Sequence, residues 1–186
     1  MHKYTKPTEF GYWAIDRHKE TNHYYATNLP YSYHLELTVK TGYRFQHLVE
    51  DIDFYWIENV LWGHDTMEDA RVTYNDIINE LKKQPWYNEV KAKKIAEAIR
   101  AVTNYGRGRD RNERMPDYIY KEIRNTEGAT FVKLCDRIAN CKHGLISGSS
   151  MLKKYKKENE HFKEMLYTEE YKEMWDYLDK ILNMEL

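Results

Sequence analysis

Leu61-Trp62-Gly63-His64-Asp65-Thr66-Met67-Glu68-Asp69 joins the end of an apolar run to a His-Asp pair and two further acids. Read outward, this stretch sets the architecture. Upstream, apolar residues recur at three- and four-residue spacing, which is the period of a helix with one buried face. The spacing predicts a helix over about Asp51 to Trp62, with His64-Asp65 at or just past its end. Earlier helices are expected from Glu9 to Tyr25, stopping before Asn28-Leu29-Pro30, and from Tyr31 to Phe45. Downstream, Thr73 is placed to cap a short helix carrying Ile77, Ile78 and Leu81. Pro85 is expected to open the next, with Val90, Ile95, Ala98, Ile99 and Val102 on one stripe. Ala129 to Ile146 reads as a long inner helix. Gly148-Ser149-Ser150 is expected to start another, with serine capping, and Thr168 to Leu182 the last. Strand-like alternation, internal repeats and linkers are not found. The expectation is all-α, one compact domain over residues 1–186.

Composition narrows the partners. The net charge of −1 gives no global attraction to nucleic acid or to anionic lipid. No apolar run approaches the ~20 residues that span a bilayer. Met1 to Pro7 lacks the apolar core of a signal peptide. We therefore expect a soluble, cytoplasmic protein with no membrane partner. Cys135 and Cys141 stand six apart on one expected helix, on different faces, and read as small buried thiols.

The chemistry sits in separated segments. His34, the pair His64-Asp65 and Asp136 supply two imidazoles and two carboxylates, a donor set that suits a first-row divalent ion. Manganese, iron, cobalt, nickel and zinc all accept such ligands. Asp136 interrupts an apolar helix face in Phe131-Val132-Lys133-Leu134-Cys135-Asp136-Arg137-Ile138-Ala139-Asn140. A carboxylate is buried there only if it is paired or binds metal, and a salt bridge to Arg137 is the competing reading. Glu68 and Asp69 follow His64 and Asp65 by four residues, one helical turn on, where they can manage a water. A solvated acidic helix start is the alternative. Asn140 and His143 share the face of Asp136 and are candidate substrate contacts, with Arg137 nearby for phosphate. His18, His23, His47 and His161 carry no assigned role. Arg107, Arg109, Arg111 and Arg114 concentrate charge between glycines. They read as a phosphate clamp, as a solvated loop balanced by Asp110 and Glu113, or least well as a nucleic-acid contact. Lys153, Lys154, Lys156 and Lys157 read as a solvated helix face.

Taken together, His34, His64-Asp65 and Asp136 resemble the HD-domain metal-dependent phosphohydrolases. His64-Asp65-Thr66-Met67-Glu68-Asp69 is similar to the His-Asp-Thr-Val-Glu-Asp stretch of the RelA/SpoT-type hydrolase domain. Val132 to Asn140 resembles that family's Val-Lys-Leu-Ala-Asp-Arg-Leu-His-Asn, and Pro30-Tyr31-Ser32-Tyr33-His34 its Pro-Tyr-Ile-Ile-His. The length suits the stand-alone small alarmone hydrolases. The resemblance implies an all-helical fold and one manganese ion on His34, His64, Asp65 and Asp136. It also implies that Glu68 and Asp69 activate water, that Asn140 contacts the nucleotide, and that pyrophosphate is released from the 3′ position of a (p)ppGpp-like substrate. Three features depart from the family, the first being Leu35 where proline usually follows the first His. His23-Tyr24-Tyr25-Ala26 replaces the Arg-Lys whose arginine stacks on guanine, leaving Tyr25 as the candidate base contact. His143 stands where the family commonly has Thr. These departures keep a 5′-nucleotidase or deoxynucleoside triphosphate hydrolase as an alternative, and a non-catalytic nucleotide-binding module behind it.

Overall fold

Helices built on the expected periodicity pack around one long central helix. The computed structural model describes residues 6–50, 53–104 and 115–184. In chain order the elements are α1 (Glu9–Glu20), β1 (Tyr24–Tyr25), β2 (Leu29–Pro30), α2 (Ser32–Arg44) and α3 (Phe54–Gly63). They continue with α4 (Thr66–Asp69), α5 (Tyr74–Leu81), α6 (Glu89–Val102), α7 (Asp117–Asn125), α8 (Ala129–Ser147), α9 (Met151–Leu166) and α10 (Lys172–Leu182). The fold is all-α apart from one two-stranded hairpin. Among the described residues, no helix is long and apolar enough to cross a membrane.

α8 is the axis of the molecule. Ala129, Phe131, Val132, Leu134, Cys135, Ile138, Ala139 and Cys141 are buried along it, and α2, α3, α6, α9 and α10 all pack on it. Gly128 starts α8 at φ 72°, where a Cβ would also meet the Ile57 and Trp56 side chains. Any larger residue there is strained by backbone and contact alike. α3 runs between α1, α2, α6 and α8. Its last residue, Gly63, allows that approach, because a Cβ would lie 2.6 Å from Ile99 and 2.8 Å from Phe10. The His-Asp pair is thereby delivered to the core at a fixed helix end. Both cysteines are buried and free, as their spacing implied.

Several boundaries differ from expectation. α1 stops at Glu20, and Tyr24–Tyr25 pairs antiparallel with Leu29–Pro30 instead of prolonging the helix. Asn22 and Ala26 carry positive φ in this turn, and the hairpin is too short for alternation to announce it. Pro85 does not open α6. Asn88 caps it by accepting from the Lys91 amide, and Val90 points to solvent at 74 % exposed while Ile95, Ala98, Ile99 and Val102 are buried. Thr73 does cap α5, through a reciprocal box with Asp76. Ser150 makes no side-chain cap, and Ser149 Oγ accepts from the Met151 amide instead. A 3-10 turn over Glu169–Tyr171 precedes α10, which starts later than the periodicity predicts. α7 has no counterpart among the expected helices.

His18, given no role from sequence, is buried in α1 and stacks on Tyr31 at 4.2 Å with neither ring nitrogen hydrogen-bonded. Burial, opposed by the Asp65 charge, lowers its pKa to about 3. The unfolded chain therefore binds a proton below about pH 6.5 that the folded chain refuses, and stability falls as pH drops through that value. Between pH 7.5 and 5 the linkage amounts to about 2 kcal/mol. His18→Phe keeps the stack and removes the titration. Denaturant midpoints at the two pH values are expected to show a loss in the parent that the variant lacks. Equal losses would remove His18 as the cause.

Candidate metal centre

Three elements bring the predicted ligands together. His34 lies in the first turn of α2, His64 caps the end of α3 with Asp65 next to it, and Asp136 sits in the middle of α8. His34 Nε2 and His64 Nε2 stand 3.2 Å apart in the core. Asp65 Oδ2 is 3.0 Å from His64 Nε2 and 3.3 Å from His34 Nε2. Asp136 Oδ1 is 3.3 Å from His34 Nε2 and 3.8 Å from His64 Nε2. The donor atoms of His34, His64 and Asp136 all lie within 4.8 Å of one another. Asp65 joins them on the histidine side.

The donor set fits a divalent ion. Bonds of ~2.1 Å place neighbouring ligand atoms roughly 3.0–3.5 Å apart, and the observed separations centre on that range. His64 Nδ1 lies 2.8 Å from the Leu61 carbonyl oxygen, which only accepts, so Nδ1 carries the proton. A bound ion would displace the Nε2 proton and take its lone pair, with the ring oriented by the outer hydrogen bond that metal-binding histidines commonly make. Charge points the same way. Burial opposes a charged imidazole at both sites. The Asp136 and Asp65 carboxylates outweigh it, raising His34 and pushing His64 up to about 10. Burial likewise opposes charge on Asp65 and Asp136. The His64 charge and hydrogen bonds from both imidazoles hold the two carboxyls well below the usual range. Two carboxylates, each with a side chain 14 % exposed, thus demand positive charge between the imidazoles.

The second acids lie on α4, a single turn. Asp69 accepts from Tyr31 Oη at 3.0 Å. Burial, then the Asp65 and Glu68 charges, push its carboxyl up to about 6. Glu68 accepts from the Asn104 amide and from Asn104 Nδ2, both at 3.1 Å. Glu68 and Asp69 share a cavity of about 170 Å³ with His34, Asp65, Asp136, Lys133, Arg137 and Tyr155. Lys133 is the basic neighbour of Asp136, at 3.6 Å, and it donates to the Val102 carbonyl. Arg137 turns from Asp136 to Glu158 at 3.3 Å, stacks over Tyr155 and Phe162, and keeps Nη2 buried and without a hydrogen bond.

Among the described residues, the other predicted contacts border the ligands. Asn140 Nδ2 donates to Asp136 Oδ1 at 2.5 Å, and Tyr25 Oη donates to Asn140 Oδ1 at 2.8 Å. The Tyr25 ring stacks on His34 at 4.8 Å, so both residues are engaged with ligands. His143 meets Tyr25 edge-on at 4.8 Å and lines an adjoining cavity of about 460 Å³ with Asn140 and Tyr155. Arg107 and Arg109, with Arg111 and Arg114, lie outside the described residues. Lys153, Lys154, Lys156 and Lys157 are exposed on α9, as expected.

Tyr31 is a residue of the site that the sequence pattern does not single out. Its hydroxyl donates to Asp65 Oδ2 at 2.6 Å and reaches Asp69, while its ring stacks on those of His18 and His23 at 4.2 and 4.3 Å. Its signals are its place in the Pro30–His34 string and its position three residues before His34, since i and i+3 share a helix face. Tyr31→Phe is expected to weaken manganese binding about tenfold, the cost typical of losing an outer hydrogen bond to a ligand. Calorimetric titration measures it, and unchanged affinity would refute the role.

No family model, curated protein or solved structure matches this chain.

Proposed function

We propose that this protein is a metal-dependent phosphohydrolase acting on a nucleotide, of the HD type, with a (p)ppGpp-like 3′-pyrophosphate ester as its substrate. One observation carries the reading. Four imidazole and carboxylate donors from α2, the α3 end and α8 converge at 3.0–3.8 Å beside two further acids and two buried cations. The resemblance of the strings around His34, His64-Asp65 and Asp136 supports it.

His34, His64, Asp65 and Asp136 would hold the ion, for which manganese is our assignment. A divalent ion so held lowers the pKa of a bound water and draws charge from a phosphoryl oxygen. The chain supplies the rest. Glu68 and Asp69 stand a turn beyond the ligands to take and return the proton of the attacking water. Arg137 Nη2 and Lys133 bind and orient the phosphate, and as preorganised cations stabilise charge developing on its oxygens. Tyr31 and the Tyr25–Asn140 pair hold the two ligand carboxylates in place. Nucleic acid is not the expected partner, and the substrate is a small molecule.

A 5′-nucleotidase or deoxynucleoside triphosphate hydrolase is the second reading. The specific observation behind it is Tyr25, which bonds Asn140 where the alarmone enzymes carry a basic base-stacking residue. Chromatographic product analysis with added manganese separates the two. Guanosine tetraphosphate converted to GDP and pyrophosphate supports the first. Cleavage confined to 5′-phosphates selects the second. Tight nucleotide binding with no turnover of any nucleotide would overturn both in favour of a sensor.

A further inference from the structure

A second cavity lies at the opposite end of α3 from His64, and it shares no lining residue with the metal centre. Trp56 precedes His64 by eight residues, about 12 Å along a helix. Four aromatic side chains converge there: Tyr55 and Trp56 from the start of α3, and Trp86 and Tyr87 from the turn before α6. The cavity measures about 590 Å³, within the range that receives drug-sized ligands. The Tyr55 and Tyr87 rings are nearly parallel, at 10°, with centroids 6.3 Å apart. Trp86 is 49 % exposed and Tyr55 39 %. Large aromatic rings grouped at the surface mark a surface that binds.

The charges define what it binds. Asp53 is committed to capping α3, accepting from the Tyr55 amide at 3.1 Å. Glu127 is committed to Lys94, at 2.8 Å, and Lys94 lies over the Trp56 ring at 5.0 Å. Lys91 lines the same cavity and pairs with no carboxylate among the described residues. Trp56 Nε1, buried, donates to no acceptor there. Flat π surfaces and one uncommitted ammonium complement a planar ring bearing negative charge.

We propose that this cleft is a binding site for a small aromatic phosphate, independent of the metal centre. Phenyl phosphate is the probe, titrated into the full chain without added metal. Indole N–H signals of the five tryptophans are followed in nitrogen-15 correlation spectra. The Trp56 and Trp86 signals are expected to move and saturate, while those of Trp13, Trp62 and Trp175 stay. Lys91→Glu is expected to weaken the response about tenfold, since it reverses the cation facing the phosphate. Trp86→Ala, a surface change that leaves the core intact, is expected to abolish the Trp56 shift. Asn140→Ala, in the metal cavity, is expected to leave the titration unaltered. No movement at millimolar probe would overturn the proposal. So would an equal response to neutral benzyl alcohol, or a response lost with Asn140→Ala.

Discussion

Asp65→Ala is expected to weaken manganese binding by more than about 100-fold and, on the proposed function, to silence phosphohydrolysis. Loss of an outer hydrogen-bond partner costs a metal site about 10- to 100-fold, and Asp65 is placed as a ligand itself. Its Oδ2 lies against both Nε2 atoms, at 3.0 and 3.3 Å, and accepts the Tyr31 hydroxyl. Removing it halves the carboxylate charge that draws a cation between the imidazoles. It also strands the Tyr31 hydroxyl beside Asp69. Asp65→Asn, which keeps the volume, separates loss of charge from loss of packing. Both variants are to be titrated with manganese by calorimetry, with helicity checked by circular dichroism. Parent affinity in a folded Asp65→Asn protein would remove Asp65 from the ligand set.

Glu68→Gln is expected to divide binding from turnover. Glu68 touches none of the four ligands; its two oxygens accept from the Asn104 amide and Asn104 Nδ2. The amide keeps the length of the side chain and one acceptor, so manganese affinity should stay within about twofold, as for a residue outside the ligand shell. It has no basic oxygen to take a proton, so kcat should fall by roughly 10²- to 10⁴-fold, the usual contribution of a positioned base. A variant that lost metal and activity together would make Glu68 a ligand. One that kept both would pass the proton to Asp69, and Asp69→Asn would then carry the loss.

Periodicity, and rare residues in apolar surroundings, are the features that a sequence discloses. α2, α3 and α8 are legible because their buried faces repeat at helical spacing, and these helices carry or lead into every predicted ligand. Asp136 is legible because a carboxylate in an apolar helix needs a reason. The hairpin is not, since two residues per strand leave no period to detect. With it go the true partners of Tyr25 and Tyr31, which are set by chain reversal and not by neighbours in sequence. Lys133 stands inside the Val132–Asn140 string, but the string gives it no role. Its place in the cavity depends on how α8 meets the Val102 end of α6, a tertiary fact without trace in the string. Val90 shows the converse error, where a residue in phase with a buried stripe lies in the first helical turn, short of the core.

The hairpin of Tyr24–Tyr25 and Leu29–Pro30 leads from Tyr25 to Tyr31, the two residues that restrain the ligand carboxylates. A two-stranded ribbon of this size has little stability of its own. Its persistence depends on what its tyrosines grip. If the centre takes the proposed ion, local opening and ion occupancy are one equilibrium seen from two ends. An ion that fixes Asp65 and Asp136 raises the free energy of opening residues 22–31, so their amide protons trade with deuterium more slowly in the loaded protein. The ribbon is then a built-in gauge of occupancy, readable without any substrate.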